Sequence, residues 1–203
     1  VALDTPDPAQ LSLGAEIRRR RRAQGLTLQR LAARADLSHP FLSQLERGLA
    51  RPSMLTLERI AQALETTQVD LLLAAYPADD GEAEPPRTPP GAYVIPGDRG
   101  ARIPQSDGVD ADGYSRLLVR GKAAFFPQEI IQRRDEFGPY YVHPQDEWIF
   151  VIAGDVEVDL GDDHVVRLRS GDSLYYAGGT PHRRRVTNGG VARLLIVQAA
   201  ADD

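Results

Sequence analysis

Leu28 to Leu64 reads LQRLAARADLSHPFLSQLERGLARPSMLTLERIAQAL, and its spacing fixes the architecture of the first third of the chain. Leu28, Leu31, Ala32 and Ala35 fall on one face of a helix that Thr27 can N-cap. Asp36 follows, and Asp is among the few non-glycine residues that tolerate positive φ, so a tight turn fits here. Ser38 then N-caps a third helix with Leu42 and Leu45 facing inward, and Gly48 stops it after Arg47. The small Ala32 lets this third helix cross closely over the second. Ser53, after Pro52, opens a fourth helix whose inner face is Leu57, Ile60, Ala61 and Leu64. Working outward, the pattern predicts a first helix over Leu11–Gln24, ended by Gly25, and a short fifth over Val69–Ala74.

Charge is distributed as unevenly as structure. The 203 residues carry a net charge of -5, yet Leu11–Ile60 holds ten arginines against four acids. From Pro77 onward fourteen basic residues face twenty-one acidic ones, so a basic head precedes an acidic body. The five arginines Arg18–Arg22 point all round a helix and cannot all meet one partner surface; two are expected to reach phosphate or acidic partners. Cysteine is absent, which removes disulfides and thiolate chemistry and fits a reducing compartment. No apolar run is long enough for a membrane span, and Val1–Gln10 lacks the apolar stretch of a signal peptide, so a cytoplasmic location is expected.

Two architectures meet at a spacer. PADDGEAEPPRTPP, residues 77–90, is too rich in proline and acid to pack and reads as a semi-rigid hinge. Beyond it, short alternating runs rich in β-branched and aromatic residues are punctuated by Gly154-Asp155, Gly161-Asp162 and Gly171-Asp172, a β-barrel pattern. The expected organisation is an all-α domain over 11–76, a linker over 77–91 and an all-β domain over 92–199.

The head resembles the phage-repressor-like (XRE) helix-turn-helix family, on Leu42-Ser-Gln-Leu-Glu-Arg-Gly48 followed by Arg51-Pro52-Ser53. Leu28 departs from the family pattern where Gln is common, and Asp36 where Gly is common. The resemblance implies a lambda-repressor-like fold whose third helix enters the major groove. Ser38, His39, Pro40, Ser43 and Gln44 would then face base edges, with Gln44 able to pair bidentately with adenine. Thr27, Gln29, Arg47 and Arg51 are the candidate phosphate contacts.

In the body, YYVHPQDEWIFVIAGDVEV (residues 140–158) places His143, Glu147 and Gly154 at the spacing of a first cupin motif. GDSLYYAGGTPHRRRVTN (residues 171–188) supplies Gly171, Gly179 and His182 of a second, with Asn188 two places late. The body therefore resembles the cupin barrel, a double-stranded β-helix or jelly roll, fused to many XRE regulators. Cupins hold a metal with a His-x-His pair, a Glu and a later His; here Tyr141 stands where the first His would be. His143, Glu147 and His182 remain as ligands, with Tyr141 a further candidate, an inventory suited to Fe, Mn, Ni or Zn. An organic ligand without metal is the alternative. Tyr141 and His143, two apart on an expected strand, would share a face. Arg184 should point inward with His182, toward a ligand carboxylate or phosphate or toward an acid of the barrel's own, so Tyr141 and Arg184 are the candidate ligand-pocket residues. Trp148 should face away from the site, and Tyr175 and Tyr176 read as core.

The expectation is a transcription regulator, not an enzyme: a homodimer joined through its barrels, binding a palindromic operator on double-stranded DNA and responding to a small-molecule effector. The alternative is a non-haem iron oxygenase, because the hydroxypropylphosphonate epoxidase family shares this domain order and His143, Glu147 and His182 match its iron ligands. Against it, that family's helix-one lysine falls at about Gly25, and Lys122 is the sole lysine here.

Overall fold

The computed structural model describes residues 8–75, 89, 91–100, 102–105, 112–119, 123–187 and 189–199. Most of the proline-rich spacer, Lys122 and Asn188 lie outside them. Among the described residues five helices come first: α1 (Pro8–Ala23), α2 (Leu28–Arg34), α3 (His39–Glu46), α4 (Met54–Ala63) and α5 (Gln68–Ala75). The first begins earlier than the sequence suggests.

The caps are those the side chains dictate. Thr27, Ser38 and Ser53 each accept a hydrogen bond from the backbone N–H three residues on, at Arg30, Phe41 and Thr56. Asp36 sits at φ 51° in the turn between α2 and α3, where its short side chain makes the left-handed region tolerable. Leu31, Ala32, Leu42, Leu45, Leu57 and Ile60 are buried in the head's core. Of the arginine run, three rather than two meet acids of this chain. Arg19 and Arg20 hold Glu16, and Arg21 forks onto buried Glu46, tying α1 to α3. Arg18 and Arg22 are exposed.

Among the described residues nine strands follow: β1 (Arg102–Pro104), β2 (Gly113–Leu117), β3 (Phe125–Gln132), β4 (Glu147–Ala153), β5 (Val156–Asp159), β6 (Val165–Leu168), β7 (Ser173–Tyr176), β8 (Arg183–Val186) and β9 (Ala192–Ala199). All pairings are antiparallel, in a six-stranded sheet ordered β1-β2-β3-β9-β4-β7 and a three-stranded one ordered β6-β5-β8. Alternation works as expected: Ile149 and Val151 of β4, Val156 and Val158 of β5, and Leu194 and Ile196 of β9 make one apolar core. His164 lies exposed in the turn between β5 and β6, beside Asp162 and Asp163 at positive φ.

Head and barrel touch directly. Ile103, Leu117 and Phe126 of the barrel join the same apolar cluster as the head's leucines. Gln62 of α4 donates 3.2 Å to the Val142 carbonyl of the barrel. On the opposite side of α3 from that cluster, Ser38, His39, Pro40 and Gln44 are exposed.

Candidate metal centre

Strand register builds the site. Glu147 at the start of β4 pairs with Gln198 of β9 on one side and Tyr176 of β7 on the other. Residues directly opposite in antiparallel strands share a face, so all three side chains enter the barrel together. Gln198 Nε2 donates 2.7 Å to Glu147 Oε2, and the Tyr176 hydroxyl donates to Glu147 Oε1. His143 precedes this row and His182 follows the β7–β8 turn, each held by a backbone bridge or loop.

His143, Glu147 and His182 each bring a ligand atom within 4.8 Å of the others, and all three are buried. His143 Nε2 lies 3.2 Å from Glu147 Oε2. Both imidazoles have Nδ1 3.0 Å from a backbone carbonyl, Gln145 for His143 and Thr180 for His182. With Nδ1–H donated there, each Nε2 presents its lone pair to the cluster, the orientation a metal-binding histidine needs. Gln198 Nε2 lies 3.0 Å from His143 Nε2 and satisfies it meanwhile.

Electrostatics agree with that arrangement at Glu147 and His182, whereas His143 is drawn toward the protonated form that hydrogen-bonds Glu147, a proton a metal would displace. Burial works to raise the Glu147 carboxyl, but the hydrogen bond with His143 and the charge of Arg184 outweigh it and hold the group well below the usual carboxylate range. Burial pushes His182 down to about 4, against the pull of Glu147 and helped by Arg184, so its imidazole is neutral near pH 7. Burial also presses on His143, yet Glu147 and Glu58 together raise it. The cluster thus offers an ionised carboxylate and imidazole nitrogens in a cavity of about 30 Å3, room enough for an ion. Two imidazoles and a carboxylate fit a divalent transition metal.

Tyr141 is not on a strand with His143. It forms an isolated bridge with His182, and its ring stacks on that imidazole at 6.0 Å; the proline at 144 and the loop around it break the expected alternation. It still lines the site. Arg184 points in and meets Glu147 at 3.4 Å, so the internal acid is its partner. Arg183 and Arg185 pair with Asp159 and Glu157 on the outer side. Trp148 faces away as expected, stacked on Phe150. The tyrosine pair divides: Tyr176 is buried at the site, whereas Tyr175 is 60% exposed and bonded to Asp146, correcting its assignment to the core. Consecutive strand side chains point opposite ways, and the face of β7 that Tyr175 occupies meets solvent.

Residues overlooked in the sequence complete the centre. Gln198 and Gln128 occupy the buried phase of β9 and β3, where alternation asks for apolar side chains; that mismatch was the available signal. Four more come from the head. Met54 and Gln68 line the cavity, Glu58 lies close enough to His143 to influence it, and Gln62 supports Glu58 at 3.0 Å. Nothing in helical periodicity distinguishes them from residues facing their own domain.

A helix-turn-helix family model matches residues 17–71, and a cupin domain model matches residues 112–198. The HTH-type transcriptional regulator y4dJ of Sinorhizobium fredii is 42% identical over 60 residues, which are 30% of this chain and 78% of that one. The chain belongs to the helix-turn-helix transcriptional regulators. The regulator DdrOP3 of Deinococcus deserti is 40% identical over 62 residues, 30% of this chain and 48% of its own length. An HTH_3 family transcriptional regulator from Vibrio cholerae shares the fold end to end, with TM-score 0.62, 19% identity and 95% and 97% of the two chains covered. The hydroxypropylphosphonic acid epoxidase from S. wedmorenis superposes at TM-score 0.46 and 21% identity over 96% of this regulator and 100% of the epoxidase, a likeness too loose to bear on activity. No helix among the described residues is long and apolar enough to cross a membrane.

Proposed function

We propose that this regulator binds a palindromic operator on double-stranded DNA through α3 and adjusts that binding through its cupin barrel. The observation that carries the reading is the solvent-facing surface of α3. Ser38, His39, Pro40 and Gln44 are exposed beside Thr27, Gln29, Arg47 and Arg51, with Ser43 half-buried among them. Residues behind that surface, Leu42, Leu45 and Glu46, are buried. Exposed polar side chains on a capped helix, flanked by cations, are what groove recognition needs: amides and hydroxyls for base edges, guanidiniums for phosphates. One such head makes a small interface, so two heads are required, brought together by a homodimer through the barrels. In the barrel, His143, Glu147 and His182 would hold an Fe, Mn, Ni or Zn ion, which as a Lewis acid adds positive charge beside Tyr141 and Arg184.

Selection of random duplexes by the full-length protein, with Gln44→Ala alongside, tests the reading. The wild type should enrich a two-fold symmetric site with strong salt dependence. Gln44→Ala should lose about 1–3 kcal/mol on that site and relax the preference at one base position per half-site. Absence of any enriched sequence, with and without metal, sinks the proposal.

The two-histidine, one-carboxylate donor set by itself favours a second reading, metal-dependent oxygenation. Fe(II)-loaded protein consuming dioxygen in the presence of hydroxypropylphosphonic acid would establish it; no consumption above buffer would dismiss it for that substrate.

A further inference from the structure

The small cavity at the metal centre adjoins a larger one of about 240 Å3, the two sharing Gln105, Tyr141 and Arg184 as walls. Consecutive residues of the head form the roof. Met54 lines the inner cavity; Ser53 and Leu55, at the first turn of α4, line the outer one. An occupant of this chamber touches both domains at once.

Two residues of its walls, Gln128 of the inner cavity and Arg184 of both, each carry an atom that lacks what it needs. Arg184 Nε and Gln128 Oε1 are both buried, and neither has a hydrogen-bond partner among the described residues. Such groups are rare in folded proteins because burial removes water without replacing it, and each calls for a missing partner. Their needs are complementary: a guanidinium N–H asks for an acceptor, best an anionic one, while an amide oxygen asks for a donor. The outer cavity sets Arg134, Arg183 and Arg184 against one carboxylate, Asp112. Arg183 is committed to Asp159, whereas Arg134 makes no ion pair among the described residues. At roughly 30 Å3 per water, the outer cavity equals about eight waters, the size of a small metabolite.

We propose that this chamber binds a small carboxylate that also carries a hydroxyl or amino donor, with the carboxylate on Arg184, the donor on Gln128, and residues 53–55 of the head as the roof. The proposal rests on reading the barrel as the sensing half of a regulator, and it names what is sensed. Because the roof belongs to the head, the occupant favours one placement of the reading helix over others, which is the differential affinity that any effector requires.

The test is calorimetric titration of the full-length protein in EDTA, so that a metal cannot be what holds the carboxylate. The probes are lactate, malate, serine and aspartate, with 1,2-propanediol and ethanolamine as carboxylate-free controls. At least one carboxylate should bind and neither control should. Arg184→Gln should weaken that binding by about tenfold or more, the worth of one charged hydrogen bond. Leu55→Trp, a change in the head alone, should block the chamber; with succinate added as a carboxylate lacking the donor, the wild type should prefer malate, and Gln128→Leu should remove that preference. Silence from all four carboxylates overturns the proposal. So does binding that survives both Arg184→Gln and Leu55→Trp in proteins whose Tm shows them folded. Operator selection is scored separately: carboxylate binding in a protein that selects no DNA supports the chamber and removes the regulator.

Discussion

Gln198 touches two of the three candidate ligands, lying 3.0 Å from His143 Nε2 and donating 2.7 Å to Glu147 Oε2. It orients both without being a ligand itself. Replacing such an outer partner generally reduces metal affinity by about 10–100-fold. Gln198→Leu, which keeps the volume and removes the amide, should therefore weaken Zn(II) or Mn(II) binding by about that factor while leaving one site per chain. Chelator-competition titration reads the difference, and an unchanged affinity would show that the ligands orient themselves. At this scale the sequence was legible where a residue type carries its own conformational logic. The hydroxyls of Thr27, Ser38 and Ser53, the turn-tolerant Asp36, and His143, Glu147 and His182 at motif spacing were all readable in advance. Gln198 and Tyr176 were not, because their role comes from strand register, and register is a pairing between distant segments that no local pattern records.

At the scale of elements, β2, β3 and β9 are tied by a charge arrangement as well as by their ladders. Glu129 of β3 takes Arg116 of β2 at 2.6 Å on one oxygen and Arg193 of β9 at 2.5 Å on the other. Burial works to raise the Glu129 carboxyl, but the two guanidiniums prevail and hold it below its ordinary 4.5. A carboxyl lowered in the fold contributes stability that is present above its unfolded pKa and is lost as pH falls through the folded one. The wild type should thus lose stability progressively below about pH 4.5. Glu129→Gln should be less stable at neutral pH, and its stability should fall less steeply in that acid range. Urea midpoints measured across pH give both slopes; parallel curves would mean the pair contributes nothing. Helix elements were more legible than strands for the same reason as before. α2, α3 and α4 announce their own starts, while the break at Tyr141–His143 depends on a loop whose shape follows from what it packs against.

For the whole molecule, the decisive feature is the apolar cluster shared by two domains that the sequence separates with a proline-rich spacer. Phe126 of β3 is 1% exposed within that cluster, together with Ile103 and Leu117. Head and barrel should accordingly unfold in a single calorimetric transition. Phe126→Ala should destabilise by about 3–5 kcal/mol, the usual range for a buried Phe truncated to Ala, and split the transition into two. Two transitions already present in the wild type would mean that the shared cluster does not couple the domains. The docking was illegible because Met54 and Gln68 sit on helices whose heptad-like spacing is satisfied equally by their own neighbours, and a surface that faces another domain looks like any other amphipathic face. The barrel also carries Trp148, the chain's one tryptophan, 36% exposed on the outer face of β4 and adjacent in sequence to Glu147. All indole emission from this protein therefore originates in the barrel, one residue from the candidate metal ligand, and its quenching or spectral shift follows barrel occupancy without any attached dye.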